Sequence, residues 1–193
     1  MARQREFDET QVVDSALHLF WSKGFETTTL DDICEHASIS KSSLYSAFSS
    51  KHELLDKVLH RYGETWMVGL MEPVSRPNAG RAEIEEATAL LIDRYASPAG
   101  RQGCLVLNCA VDVAPNDRRI RETAKGVRGV FEDALFSAIK RGQANGTIMS
   151  KESPRSLARA LLTMMNGMSI LAKLHPSRAA LEDIARMAMK LLD

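Results

Sequence analysis

Residues 28–48 constrain the fold of this chain more than any other segment, because they predict two short helices joined by a tight turn. Thr28 is a favourable N-cap residue, and Asp31, three positions later, completes a predicted capping box with it. Apolar residues then recur at helical spacing and give the first helix one buried face: Leu30, Ile33 and Ala37. Residues 37–40 predict the turn.

The second predicted helix has an unusual outer surface. Ser40 is its expected N-cap, the helix covers residues 41–47, and Leu44 and Phe48 face inward four positions apart. Its other face carries one cation, hydroxyls and a phenol but no acid: Lys41, Ser42, Ser43, Tyr45 and Ser46. Such a surface can approach a phosphate backbone and reach base edges in the major groove, so we predict a helix-turn-helix with a recognition helix at 41–47.

The motifs around this segment are those of a known family. They read GFETTTL at residues 24–30, DI at 32–33, ASISKSSLY at 37–45, F at 48 and SKHELL at 50–55. On these motifs, residues 8–60 resemble the DNA-binding domain of the TetR family of transcriptional regulators. The C-terminal two-thirds is similar to that family only in its all-helical pattern. Many TetR-family members carry glycine where this chain has Ser38, so a left-handed, strained Ser38 is expected.

The charge balance argues against a general polyanion binder. The chain has 193 residues with 25 basic and 25 acidic side chains, and its first 60 residues hold 6 basic against 10 acidic ones. The cations that bind DNA must therefore be local ones. Two of them, Arg3 and Arg5, lie in an N-terminal arm that we expect near DNA; the alternative is that this arm is a disordered tail. The residues predicted to bind DNA are Arg3, Arg5, Thr28, Ser40, Lys41, Ser42, Ser43, Tyr45, Ser46 and Lys51.

Other classes of protein receive no support from the composition. The N-terminus lacks the apolar run of a signal peptide, and no uncharged run reaches the roughly 18 residues of a spanning helix, so we expect a soluble, cytoplasmic protein. Three cysteines without a CxxC pair predict neither a disulfide framework nor a zinc site. We expect no cofactor and no metal.

The rest of the chain predicts an all-α fold of about nine helices. A helix-turn-helix domain is expected at 1–60 and a larger regulatory and dimerisation domain at 61–193. The helix from residue 51 continues for about twenty residues and links the two, before a linker at 73–80. The other helices are expected at about 10–23, capped by Thr10, and at 81–95, 103–114, 116–141, 157–174 and 177–192.

The last two predicted helices are apolar over more than half of their circumference. A helix with two apolar sides needs two partners, and we expect these to be its own core and a second subunit. The alternative is a buried central helix in a monomer. The predicted dimer residues are Leu157, Leu161, Met164, Met165, Met168, Leu171, Leu181, Ile184, Ala188 and Leu191.

A ligand pocket is expected in the regulatory domain, with plain core packing as the alternative. The resemblance implies that a small molecule binds there, tilts the helix at 51–71 and releases DNA. Cys104 lies at a predicted helix start, where the helix dipole favours the thiolate form, so it is a candidate sensor of oxidants or electrophiles. The alternative is that Cys104 is a buried side chain of the core, which is also what we expect for Cys34. The predicted pocket residues are Tyr62, Trp66, Leu91, Tyr95, Cys104, Asn108, Asp112 and Phe131.

These features predict a ligand-responsive repressor that binds a palindromic operator as a homodimer. Tyr45 and Lys51 are expected to contact phosphates, whereas Lys41, Ser42 and Ser43 are expected to set the base preference. A helical protein-interaction module and an enzyme with Cys104 as nucleophile are the alternatives. The enzyme lacks a recognisable base, and an interaction module has no need of an acid-free recognition face.

Overall fold

The protein has the all-α architecture that the sequence predicts. A computed structural model describes residues 8–193, and this part of the chain contains nine α-helices and no strand. Their bounds are Glu9–Lys23 (α1), Leu30–Ala37 (α2), Lys41–Ala47 (α3), Lys51–Tyr62 continued by Val68–Ser75 (α4), Arg81–Ala96 (α5), Leu105–Asp112 (α6), Arg118–Asn145 (α7), Pro154–Ala172 (α8) and Arg178–Met189 (α9). Two 3₁₀ turns occupy Pro98–Gln102 and Lys190–Leu192.

The described residues form two compact units. The first contains residues up to Thr65 together with Leu105–Val127, and the second contains Trp66–Cys104 together with Arg128–Asp193. Contacts distant in sequence bring residues 105–127 into the first unit: Asp56 accepts a hydrogen bond from Thr123 and pairs with Arg119 at 2.7 Å. A functional division of the chain at residue 60 stays a prediction.

Helices α1 and α4 pack against each other and form the centre of the first unit. Phe20 from α1 and Tyr62 from α4 are at most 2% exposed. Arg61 of α4 donates two hydrogen bonds to the carboxylate of Asp14, at 2.7 and 2.9 Å. Helix α1 is capped by Asp8, which accepts from the amide of Thr10 at 2.8 Å, so the prediction of Thr10 as cap was wrong.

Helix α4 is continuous but contains a π-helical segment, Gly63–Met67. A π turn holds one residue more than an α turn, so the apolar stripe shifts by one position there. After buried Tyr62 the next half-buried side chain is Met67, five positions on, and Trp66 is 38% exposed. Regular α-helical spacing from Tyr62 would have placed Trp66 in the apolar stripe, and the π-helical segment places Met67 there instead.

Two predicted helix ends are also corrected. Helix α4 reaches Ser75, so the linker covers only 76–80 of the predicted 73–80. Helix α7 reaches Asn145, and Gly146, with φ of 80°, follows its last residue. Gly142 lies inside the helix, where a Cβ atom would stand 2.6 Å from Cδ1 of Ile148, so glycine there makes room for that side chain.

The second unit has one apolar core, formed by the end of α4 together with α5, α7, α8 and α9. Its fully covered side chains include Ile84, Leu135, Leu161 and Leu181. None of the helices between residues 8 and 193 combines the length and the apolar run that a membrane crossing requires.

Candidate nucleic-acid interface

Helix α2 begins with a capping box one residue later than predicted. The Thr29 hydroxyl accepts from the amide of Asp32 at 3.1 Å, and the Asp32 carboxylate accepts from the Thr29 amide at 2.7 Å. These hydrogen bonds from Thr29 lower the pKa of Asp32 to about 2. Thr28 is fully buried and donates to the Gly24 carbonyl at 2.7 Å, so its predicted roles as cap and as DNA contact were wrong.

This shift leaves Asp31 outside the cap. Its carboxylate instead lies 2.7 Å from Nζ of Lys41, the first residue of α3, and this hydrogen bond raises the pKa of Lys41. Sequence reasoning missed the pair because two Thr–Asp pairs with the same spacing, 28/31 and 29/32, compete for the cap.

The turn after α2 has the left-handed residue that was expected from the resemblance. Ser38 adopts φ of 55° and ψ of 42°, and its amide donates to the Glu35 carbonyl at 3.2 Å. The next amide, of Ile39, donates to the Cys34 carbonyl at 3.0 Å. These bonds satisfy the last carbonyls of α2 and fix the direction in which α3 begins. Cys34 is buried, which raises the pKa of its thiol.

Helix α3 presents a polar, acid-free face to solvent. Ser40 caps it by accepting from the amide of Ser43 at 3.1 Å, while Leu44 and Phe48 are at most 2% exposed. The outward side chains belong to Lys41, Ser42, Tyr45 and Ser46, with Ser43 half-buried beside the cap. Tyr45 is 58% exposed. The Tyr45 side chain is therefore accessible, and its hydroxyl can contact the phosphate backbone of DNA.

The start of α4 lies next to this face in sequence and is also capped. Ser50 accepts from the amide of Glu53 at 3.1 Å. The ammonium of Lys51 stands 4.3 Å from the ring centre of Phe25 and donates to the Glu26 carbonyl at 3.4 Å, and partial burial lowers its pKa. The predicted contacts Arg3 and Arg5 lie outside the described residues.

Two family models match this chain. The model of bacterial regulatory proteins of the tetR family matches residues 12–58, which contain the helix-turn-helix. The model of the tetracyclin repressor-like C-terminal domain matches residues 80–188, more than half of the chain. The chain belongs to the TetR family.

Relatives of this TetR-family chain extend over its whole length. An uncharacterized HTH-type transcriptional regulator of Bacillus subtilis, YezE, is 25% identical over 100% of both chains. The HTH-type transcriptional repressor ComR of Escherichia coli is 27% identical over 98% of this chain and 90% of its own. A cysteine-substituted CifR bound to 26-base-pair double-stranded operator DNA has a TM-score of 0.86 at 26% identity, with 99% of this chain and 100% of that chain covered.

These comparisons establish the broad function. The chain is a DNA-binding transcriptional regulator and not an enzyme, because the family and its relatives are transcriptional regulators. The two alternatives, a Cys104-dependent enzyme and an interaction module with a vestigial helix-turn-helix, are therefore set aside.

The predicted pocket residues of this TetR-family regulator divide between the two units. Tyr62, Asn108 and Asp112 belong to the first, where Asp112 is exposed. Trp66, 38% exposed, belongs to the second unit. The buried members of the second unit are Leu91, Tyr95, Cys104 and Phe131. Burial raises the pKa of Tyr95, whose phenol therefore stays neutral and can donate a hydrogen bond.

The predicted dimer residues fall into a buried and an accessible group. Six are at most 4% exposed within the core of their own unit, so their assignment to a subunit contact was wrong: Leu157, Leu161, Met165, Met168, Leu181 and Ala188. Four keep exposed surface, and three exposed residues that were not predicted lie one to three positions from them in sequence. We call this set the α8–α9 face: Met164, Ile170, Leu171, Leu174, Ile184, Met187 and Leu191.

Proposed function

We propose that this TetR-family regulator is a repressor that binds a palindromic operator as a homodimer and is released by a small-molecule effector. The observation that carries the DNA-binding part is the exposed, acid-free face of α3 within a helix-turn-helix whose helices are all capped. Repression is supported by the relative ComR, which is named a repressor, and operator binding by the CifR complex.

A homodimer is supported by the α8–α9 face. Helices α8 and α9 pack against each other, and their outer apolar residues recur at helical spacing, with Ile170 57% and Met187 48% exposed. A two-fold dimer would place two recognition helices about 34–36 Å apart, or a multiple of this, and would read an inverted repeat. One short helix gives little specificity, since each good base contact contributes only ~1–3 kcal/mol.

The test is selection of bound DNA from a random pool, followed by gel shifts with variants of α3. We expect the selected sites to be inverted repeats. Lys41→Ala should weaken operator binding about tenfold and relax the base preference, whereas Tyr45→Phe should weaken binding to all sequences alike. Lys140→Ala, which removes an exposed lysine of α7, is the matched control and should bind normally. Normal binding by both α3 variants would exclude α3 as the DNA contact.

The proposed effector site is in the core of the second unit, around Tyr95 and Cys104. Tyr95 offers a neutral phenol next to the buried hydroxyl of Ser169, and Cys104 offers a thiol; both are buried in the second unit. These groups suit a largely apolar small molecule or a thiol-reactive electrophile.

An alkylating agent separates the two kinds of effector. If thiol chemistry is the signal, the agent should release the operator from the unmodified protein and from Cys109→Ser, but not from Cys104→Ser. Cys109, also buried, is the matched control. Unchanged release from Cys104→Ser would exclude Cys104 as a sensor. Thermal-shift screening of apolar compounds would then identify the ligand.

A further inference from the structure

The leading cation of the recognition helix is held by a carboxylate of the preceding helix. Nζ of Lys41 lies 2.7 Å from Oδ1 of Asp31, and the two side chains are 62% and 65% exposed. The capping box of α2 uses Thr29 and Asp32, so Asp31 makes no capping hydrogen bond and its carboxylate is available to Lys41.

Other lysines of the first unit also form ion pairs with carboxylates. Between residues 8 and 60, Lys23 pairs with Asp32 at 3.3 Å and Lys57 with Glu9 at 3.6 Å. Lys51 differs, because its ammonium lies over the Phe25 ring and against a backbone carbonyl. A phosphate that approaches α3 therefore meets a cation that already has an anionic partner.

We propose that Asp31 sets the DNA specificity of this regulator by competing with phosphates for Lys41. The proposal rests on the proposed placement of α3 against DNA. Non-specific duplex offers Lys41 little more than a phosphate, and exchange of a carboxylate for a phosphate gains little. At the operator, α3 fits against base edges and Lys41 gains contacts that other sequences do not provide. Asp31 thus weakens binding to the wrong sequences more than binding to the operator.

The test compares Asp31→Asn with Glu35→Gln. Glu35 is exposed on the same helix, and its substitution changes the net charge equally. Asp31→Asn should tighten binding to a non-specific duplex about 3- to 5-fold more than Glu35→Gln, with less than a twofold change at the operator. The slope of log K against log salt for non-specific duplex should steepen by about 0.9, the value for one additional phosphate contact, only in Asp31→Asn.

Lys41→Ala separates failure of this inference from failure of the proposed function. In the double variant Asp31→Asn, Lys41→Ala, the additional non-specific affinity should disappear. Equal behaviour of Asp31→Asn and Glu35→Gln, with a weakened Lys41→Ala, would overturn the role of Asp31 and leave α3 as the DNA contact. Normal operator binding by Lys41→Ala alone would overturn the role of Asp31, and normal binding by both Lys41→Ala and Tyr45→Phe would overturn the placement of α3 as well. Circular dichroism should show that all variants remain folded, because neither carboxylate belongs to a cap.

Discussion

Replacing Ile170 by glutamate should convert the protein to monomers and weaken operator binding by more than about 100-fold. Ile170 is 57% exposed and lies on the α8–α9 face. Burial of an unpaired carboxylate in an apolar contact costs several kcal/mol, so the two subunits should separate. A monomer has one recognition helix and loses the second half-site. A difference of about 2.7 kcal/mol corresponds to the expected 100-fold.

The subunit state and the DNA affinity should be measured together. Sedimentation velocity at micromolar concentration reports the first, and gel shifts report the second. Val130→Glu is the matched control, because Val130 is 58% exposed on α7, outside the α8–α9 face. It should remain dimeric and bind normally. A dimeric Ile170→Glu protein with full affinity would show that subunits meet elsewhere. A Cβ atom at Gly167 of α8 would meet nothing within 4 Å, so in the proposed dimer this position leaves room for a partner helix.

Gly100→Ala should lower the free energy of unfolding by more than about 3 kcal/mol. Gly100 lies in the 3₁₀ turn that follows α5, and a Cβ atom there would stand 1.9 Å from the Arg94 carbonyl oxygen and 2.8 Å from Cα of Tyr95. Both are backbone atoms of α5, so no side chain can rotate away from the clash. Overpacking usually destabilises a protein by ~1–3 kcal/mol, and a clash with backbone that cannot move should cost at least the upper value of this range. Urea unfolding followed by circular dichroism measures the effect.

Gly129→Ala is the control, and it should change the free energy of unfolding in the opposite direction. A Cβ atom at Gly129 would meet nothing within 4 Å, and the residue lies inside α7. Alanine should therefore stabilise the protein by roughly 0.5–1 kcal/mol, since glycine inside a helix carries a larger loss of backbone entropy. If both alanine variants unfolded at the same urea concentration, the close approach of the turn to α5 would be disproved.

The parts of the fold that local chemistry determines were predictable. Helix α3 begins after its Ser40 cap and has the predicted bounds, because capping and apolar spacing act within a few residues. The cap of α2 was misplaced because neighbouring threonines offer the same spacing to neighbouring aspartates. Choice between them depends on Thr28, whose hydroxyl donates to a carbonyl of the preceding turn. That contact has no signature in the local pattern.

The parts that depend on tertiary packing were not predictable from periodicity. Helix α8 is apolar on two sides, and periodicity does not distinguish the side that faces its own core from the side that stays exposed. Leu161 and Ile170 illustrate this, since the first is fully covered and the second is 57% exposed. The Asp31–Lys41 pair is likewise a contact between two helices, and spacing along one helix does not reveal it.

The π-helical segment of α4 has a consequence for how the family varies. With five residues, Gly63–Met67 holds one more than the α-helical spacing of its neighbours needs. Deletion of one residue there would relax the segment to a regular α-helix and leave the side chains from Val68 to Ser75 facing the same way, because the π turn absorbs one additional residue. Such a homologue would align with this chain across a single gap and would cover its core with the equivalent α4 side chains.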